Sequence, residues 1–130
     1  MKLKQLAVAA ALFVGAAIPA HAQDQDGPIY LLANLSVENL ETYLNDYGFP
    51  VTPMLLAAGA EILVATPQVE TLEGDYTPNW SVVVRFPSQE AAMGWYNSEE
   101  YQAMIPVRQG MTNVEESTMV LAPQFVMPSE

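Results

Sequence analysis

The chain contains no cysteine and very few histidine and lysine residues. Its one histidine is His21, and its two lysines are Lys2 and Lys4. Without cysteine no disulfide can support the fold, although the sequence remains compatible with an oxidising compartment. The chain must therefore be held together by its apolar core, which a domain of roughly 100 residues can provide.

The scarce basic residues lie in an N-terminal segment that has the pattern of a secretory signal peptide. Residues 1–22 combine a basic start, an apolar run over residues 6–18 and a small-x-small ending, Ala20-His21-Ala22. The apolar run is short for a membrane span. We therefore expect cleavage before Gln23, a periplasmic or secreted protein, and a disordered linker over residues 23–27. No later segment is apolar enough to predict a membrane contact after cleavage.

Cleavage would leave a mature chain without histidine, lysine or cysteine. Because both lysines lie in the removed segment, the formal charge changes from −11 to −13. Nucleophilic catalysis of the Ser-His-Asp or Cys-His kind needs an imidazole or a thiolate, and the usual zinc, copper and haem sites need histidine or cysteine. We predict no metal and no cofactor. The acidic surface also excludes nucleic acid and anionic lipid as general partners.

The apolar pattern of the remaining chain predicts four strands separated by helices. Short runs rich in β-branched and aromatic residues predict strands, and alternation is clearest in WSVVVRF, where every second side chain is a large apolar one. The predicted strands cover residues 29–35, 61–66, 80–86 and 117–122. Their order with the helices is the βαββαβ pattern of a ferredoxin-like fold, an α+β class with a four-stranded antiparallel sheet.

Two helical regions lie between these strands. The first is predicted to begin at Ser36 as N-cap, and the second to begin at Ser88 and to be capped again at Asn97-Ser98. Apolar residues at helical spacing, including Tyr43 and Tyr47, indicate that the first region is amphipathic. The residues predicted to kink or end these helices are Gly48, Pro50, Pro53, Gly59, Pro106 and Gly110.

The strands are apolar on both sides, whereas two helices can cover only one face of such a sheet. We therefore expect a second copy of the chain to cover the other face, which predicts a homodimer. The folded domain is predicted over residues 28–123. The tail, residues 124–130, carries Phe125, Val126 and Met127 and is expected to dock.

The stretch from Val83 to Arg108 resembles a known family. The string Trp95-Tyr96-Asn97-Ser98, followed by Glu100-Tyr101 and Pro106-Val107-Arg108, is similar to the family catalogued as domain of unknown function 1330. The resemblance extends to Leu72–Tyr76 and to the helix around Tyr43. It implies a dimeric α/β barrel in which two ferredoxin-like sheets pack face to face, and it implies no particular activity. Residues 57–61, AAGAE, depart from the Tyr-Gly-Gly-Arg pattern of the relatives, which removes a basic residue from any shared anion site.

The candidate ligand-binding residues are aromatic, amide and basic side chains. Trp95, Tyr96, Asn97 and Tyr101 either line a cavity or form part of the core and a helix cap. Tyr43 is a further candidate on the first helix. Together with two arginines, the candidates are Tyr43, Arg85, Trp95, Tyr96, Asn97, Tyr101 and Arg108.

The two arginines have alternative interpretations. Arg85 lies inside a strand, so it either pairs with a glutamate or a backbone carbonyl group or guides an anionic or carbonyl-bearing ligand. Arg108 could form an ion pair with Glu100 across the second helical region. A structural pair at either position would leave that arginine without a role in binding.

Two hypotheses about function follow. The first is a non-catalytic module that binds a small hydrophobic or aromatic molecule or serves an interaction. The alternative is a cofactor-free oxygenase or isomerase that acts on a phenolic or polyketide-like substrate, in which Tyr101, Asn97 and Arg85 hydrogen-bond an enolate. Arg85 and Tyr101 in one cavity would favour the enzyme, and a closed ion pair of Arg85 would argue against it.

Overall fold

The structure is a computed structural model that describes residues 27–129. The predicted signal peptide, its cleavage site and residues 23–26 of the predicted linker lie outside the described residues. From Pro28 onward the chain forms a four-stranded sheet with helices on one face.

The elements follow the predicted order. Each helical region consists of more than one piece, since the first contains a π-helical turn and the second contains two α-helices. The elements are β1 (Ile29–Leu35), α1 (Leu40–Tyr43), the π-turn (Leu44–Gly48), α2 (Phe49–Ala57), β2 (Glu61–Thr66), β3 (Trp80–Phe86), α3 (Gln89–Tyr96), α4 (Glu99–Gln109), a 3-10 turn (Val114–Glu116) and β4 (Thr118–Pro123).

The sheet has the order β2-β3-β1-β4 with antiparallel neighbours, so the ferredoxin-like fold is confirmed. Strands β1, β2 and β3 have the predicted bounds, and β4 lies one residue later than predicted. The register pairs Leu31 with Val84 and Leu35 with Trp80, and a bulge interrupts β2 between Ile62 and Val64. Bulges are common at sheet edges, and they increase the local twist of the strand.

One face of the sheet forms the core with the helices. Paired residues in neighbouring strands share a face, and the helix-facing ones are almost fully buried, with Phe86 and Val84 at 0% exposure. Tyr101 of α4, also at 0%, packs against this face. Burial of each such side chain stabilises the fold by about 1.5–3 kcal/mol. The core residues of the two central strands are Ile29, Leu31, Ala33, Leu35, Trp80, Val84 and Phe86.

The helix boundaries correct two predictions. The first helix is capped by Asn39, whose Oδ1 accepts from the Thr42 backbone N–H at 2.9 Å, and not by Ser36. The chain bends away at Ser36 because the Val37 backbone pairs with Asn79 and with Thr112. Pro106 does not stop the second helical region, because α4 continues to Gln109.

The predicted interruption near Gly48 is a widened turn within a continuous helix. The backbone N–H of Phe49 donates to Leu44 O, five residues back, as in a π-helix. Pro50 and Pro53 have no N–H, so the usual bonds to the carbonyl groups four residues earlier are lost there. In the same segment the Thr52 hydroxyl donates to Gly48 O at 2.9 Å. At the end of α2, Gly59 adopts a positive φ of 82°, which confirms its role as the helix-terminating glycine.

The other sheet face and the tail are only partly covered. The half-buried side chains of Leu32 and Val83 lie on this open face together with Val120, which is 49% exposed. Phe125, Val126 and Met127 are 76%, 73% and 73% exposed, so the expected docking of the tail is wrong for the single chain. The tail continues from the edge strand β4, where the Gln124 backbone N–H donates to Pro28 O, and its apolar residues are not part of the core. Within residues 27–129 no helix has the length and apolar character needed to span a bilayer.

Candidate functional site

A cavity of about 330 Å³ lies between the first helical region and the sheet. This volume falls within the range of about 300–1,000 Å³ that is typical of small-molecule pockets. Aliphatic and aromatic side chains form most of its wall. The lining residues are Leu31, Ala33, Leu35, Tyr43, Leu44, Tyr47, Gly48, Phe49, Val51, Thr52, Leu55, Ile62, Ala65, Trp80, Val82, Val84, Trp95 and Met119.

The sequence creates this space where large aromatic side chains on one side meet small ones on the other. Tyr43 and Tyr47 are four residues apart, so they lie on the same face of the helical region and point toward the sheet. Opposite them, Ala33 and Val82 are paired in register, and their short side chains extend only a little way from the sheet. The π-turn, which includes Gly48, widens the helix next to this space.

The cavity opens beside the edge strand β2. Ile62 and Ala65 line the cavity but are exposed to solvent, and Phe49 on the opposite side is 62% exposed. Because β2 is the last strand on this side, no further strand within residues 27–129 covers it. A molecule could enter here without a change in the core.

Aromatic rings continue from this cavity into the second helical region. The ring centroids of Tyr43 and Trp80 are 6.3 Å apart, and those of Tyr43 and Tyr47 are 5.1 Å apart. Tyr101 continues the series, with its centroid 6.3 Å from that of Tyr47 and 4.1 Å from that of Trp95. These distances lie within or near the range in which aromatic pairs attract one another.

Two tyrosine hydroxyl groups in this series form a buried hydrogen bond. The oxygen atoms of Tyr47 and Tyr101 are 2.6 Å apart, and the side chains are 5% and 0% exposed. Burial, together with the neighbouring Tyr101, raises the pKa of Tyr47 well above its ordinary value. Burial also raises the pKa of Tyr43. Both phenols are therefore neutral hydrogen-bonding groups at neutral pH, and neither can serve there as an anion.

Arg108 lies against the same pair and not beside Glu100, so the predicted ion pair is wrong. Its Cζ is 5.9 Å from the centroid of the Tyr47 ring, a cation–π distance. Eight residues along α4 correspond to about 12 Å, which places Glu100 too far along the helix. Arg108 is only 8% exposed, and its Nε has no hydrogen-bond partner within residues 27–129.

A second cavity, of about 340 Å³, lies between α3, α4 and the edge strand β4. Trp95 lines both cavities and forms part of the wall between them. Its indole Nε1 is a second buried donor without a partner in the described part of the chain. The lining residues are Leu31, Ala92, Met93, Trp95, Tyr96, Arg108, Gln109, Met119, Val120 and Leu121.

The predicted site residues separate into two groups. Tyr43, Trp95, Tyr96 and Arg108 line one cavity or both, and Tyr101 supports them from the core. Arg85 and Asn97 line neither cavity.

Arg85 lies on the open face of the sheet, where its Nη1 pairs with Glu61 Oε1 at 3.0 Å. This pair is the structural partnership considered for Arg85, and it is partly exposed, with side-chain exposures of 37% and 63%. Asn97 is exposed at the end of α3. The predicted arrangement of Tyr101, Asn97 and Arg85 around one enolate is therefore not formed, because the sheet separates Arg85 from Tyr101.

Tyr47 and Trp80 line the first cavity and were not among the candidates. Tyr47 lies one helical turn after Tyr43 and Trp80 begins the strand with the clearest alternation, so both signals were present in the sequence. Their pairing across the cavity depends on the fold. Within residues 27–129 no three His, Cys, Asp or Glu side chains come together as a possible metal site.

A family model described as Domain of unknown function (DUF1330) matches residues 28–122. The chain belongs to this family. The match covers the sheet except for Pro123 and every residue that lines the two cavities, so the candidate site of this DUF1330 domain lies inside the part that defines the family. A comparison with curated proteins finds no match.

Solved structures show the same fold. A protein of unknown function from Rhodopseudomonas palustris, a structural genomics target, has a TM-score of 0.67 at 17% sequence identity, with 82% of this chain and 88% of that chain covered. A crystal structure described as a putative antibiotic biosynthesis monooxygenase from Bacteroides thetaiotaomicron has 10% identity and a TM-score of 0.46, over 78% of this chain and 91% of that one. The first likeness supports the fold, and the second is too distant to support a statement about this chain.

Proposed function

We propose that this DUF1330 domain is a non-catalytic binding protein that takes up a flat, mostly apolar small molecule in the first cavity. The observation that carries the proposal is the cavity of about 330 Å³ with aromatic walls and an opening beside β2. Tyr43 and Trp80 supply flat apolar surface, and the hydroxyl groups of Tyr43 and Thr52 supply the few polar contacts of a typical ligand site.

The side chains around the cavity favour binding over turnover. No histidine, lysine or cysteine occurs anywhere in residues 27–129 of the sequence. The two lining tyrosines keep their protons at neutral pH, because burial raises the pKa of each. A general base near neutral pH is therefore not available from these groups, and the arrangement of Arg85 and Tyr101 for oxygenase chemistry is not formed.

Entry through the opening beside β2 can be blocked at Ala65. We expect Ala65→Phe to fill the mouth of the cavity without disturbing the core, because Ala65 is exposed. With 1-naphthol as probe, Trp fluorescence should report binding, since Trp80 and Trp95 both line the cavity. The variant should lose at least about tenfold in affinity, which corresponds to about 1.4 kcal/mol.

Ala103→Phe is the matched control, because Ala103 is exposed on α4 and does not line this cavity. It should bind 1-naphthol as the parent chain does. Equal affinity of the parent chain and Ala65→Phe, or no binding by the parent chain, would contradict the proposal.

We further propose that the protein is a homodimer through the open face of the sheet. The only charged pair on this face among the described residues, Arg85 with Glu61, neutralises itself. Two copies of a strongly acidic chain can therefore meet there without like-charge repulsion. The half-buried Leu32 and Val83 and the exposed tail around Phe125 offer apolar surface that a second copy would cover.

The oligomeric state tests this proposal directly. Native mass spectrometry should show a dimer for the parent chain and a monomer for Val83→Glu, which places a charge in the contact. Leu56→Glu is the control, because Leu56 is 57% exposed on α2, on the other side of the sheet. A monomeric parent chain would refute the proposal.

We also propose that the protein is exported, on the strength of the N-terminal pattern alone. Protein recovered from the periplasm should have the intact mass of a chain that begins at Gln23. A mass that includes residues 1–22 would contradict both cleavage and the predicted compartment.

A further inference from the structure

Arg108 is a buried cation for which residues 27–129 provide no counter-ion. Its side chain is 8% exposed, and the one ion pair among these residues joins Arg85 to Glu61. The buried Nε also has no hydrogen-bond acceptor in this range. A buried charge is costly unless an opposite charge or several hydrogen bonds compensate it. Among these residues only the neutral Tyr47 and Tyr101 side chains offset the charge, so the position can accept an anion.

The groups next to Arg108 keep it charged without neutralising it. The guanidinium group of an arginine is protonated at neutral pH, and although burial lowers the pKa of Arg108, Tyr101 and Tyr47 raise it by more. The Tyr47 ring faces the guanidinium group and its phenol keeps its proton at neutral pH. The surroundings thus hold a permanent positive charge in place.

The second cavity gives an anion access to this charge. Arg108 and Gln109 line it as polar residues, and Trp95 lines it as well. The indole Nε1 of Trp95, like the Nε of Arg108, is enclosed by protein atoms and has no partner among the described residues. Trp95 is 6% exposed, so both unpartnered donors, Nε1 and the Arg108 Nε, belong to side chains that are more than nine-tenths buried. The other walls are apolar, and they include Tyr96 and Met93.

We propose that the second cavity binds a small aromatic monocarboxylate, with its carboxylate group paired to Arg108 and its ring against Trp95 and Tyr96. The planar guanidinium group matches a carboxylate in geometry. A single cation in a chain of formal charge −11 favours a monoanion over a dianion. Aromatic and thioether walls favour a flat ring over an alkyl chain. This site is distinct from the first cavity, and it does not require that cavity to be occupied.

The test compares ligands that differ only in charge. The probes are 2-naphthoate and the neutral 2-naphthamide, and acetate serves as the anion without a ring. Binding is followed by NMR at the indole N–H of Trp95, which Trp80→Phe identifies by removing the other indole signal. We expect 2-naphthoate to shift this signal and to bind at least about tenfold more tightly than 2-naphthamide and acetate.

Two arginine variants separate a local effect from net charge. Arg108→Gln should remove the preference for 2-naphthoate over 2-naphthamide, whereas Arg85→Gln, which removes the same charge from the open face, should retain it. Because Arg108→Gln is in a buried site, Arg108→Lys is measured as well, and it should retain part of the preference. Ala65→Phe should leave 2-naphthoate binding unchanged, which distinguishes this site from the first cavity.

Several outcomes would overturn the proposal. Equal binding of 2-naphthoate and 2-naphthamide would show that the charge of Arg108 is not used, even if the first cavity binds 1-naphthol. If acetate binds as tightly as 2-naphthoate, the aromatic ring does not contribute to binding and the proposal is refuted. If Arg85→Gln loses the preference for 2-naphthoate over 2-naphthamide as strongly as Arg108→Gln does, the preference is an effect of net charge and not of this site. If none of the three probes binds, the site is also refuted.

Discussion

The hydrogen bond between Tyr47 and Tyr101 allows a quantitative test of the core. Its oxygen atoms are 2.6 Å apart, and neither side chain is more than 5% exposed. Replacement of either tyrosine by phenylalanine leaves the other hydroxyl buried without this partner, which costs about 1–3 kcal/mol of unfolding free energy. When both hydroxyl groups are removed, no buried hydroxyl remains that has lost its partner. The double variant should therefore cost less than the sum of the single variants, by about 1–2 kcal/mol.

Urea unfolding at neutral pH measures the three variants against the parent chain. A fixed protomer concentration is needed, because dimer formation would make the midpoint depend on concentration. Tyr30→Phe is the control, since the Tyr30 hydroxyl donates to Gln124 in an exposed bond, and it should change stability by less than about 0.5 kcal/mol. If the two single effects add to within about 0.3 kcal/mol, the hydroxyl groups are not coupled and the reasoning is refuted.

Two further predictions concern pH and backbone conformation. Because burial raises the pKa of Tyr43 and Tyr47 above 10.0, the contribution of these two groups to the unfolding free energy should be constant near neutral pH and fall above pH 10. Above pH 10 the unfolding free energy should fall by about 1.4 kcal/mol per pH unit for each tyrosine. Urea unfolding at several pH values measures this slope, and Tyr43→Phe should make it smaller. An unchanged slope in Tyr43→Phe would contradict the prediction. Gly59→Ala should destabilise by about 1–2 kcal/mol, because φ is 82° there. Gly94→Ala, at an exposed position of helix α3, should stabilise the protein by up to about 1 kcal/mol. If Gly59→Ala and Gly94→Ala change the melting temperature in the same direction, the distinction between the two glycines is refuted.

Local sequence signals were sufficient for the strands and insufficient for the start of the first helix. Strand β3 has the predicted bounds because its alternation reflects the two faces of one strand, which is a local property. Ser36 and Asn39 both have side chains that cap helices, and local preference does not choose between them. Asn79 and Thr112, distant in sequence, bind the backbone at Val37 and move the helix start to Asn39.

The two arginines show the same limit in the candidate site. In the sequence each is a single basic residue with a nearby glutamate, and an ion pair was considered for each. Strand pairing places Glu61 opposite Arg85, which forms that pair on the open face. Packing of α4 against Tyr47 instead encloses Arg108 without a carboxylate among the described residues.

The sequence by itself determined the class of fold, the family and the absence of histidine and cysteine chemistry from residues 27–129, because residue identity and local periodicity are properties of the chain alone. Tertiary structure decided where empty space remains and which charge is enclosed. Cavities arise where side chains from separate segments fail to fill the volume between them. The tyrosines of the first helical region, the small residues of β1 and β3, and Arg108 meet only after folding, so the two cavities follow from packing.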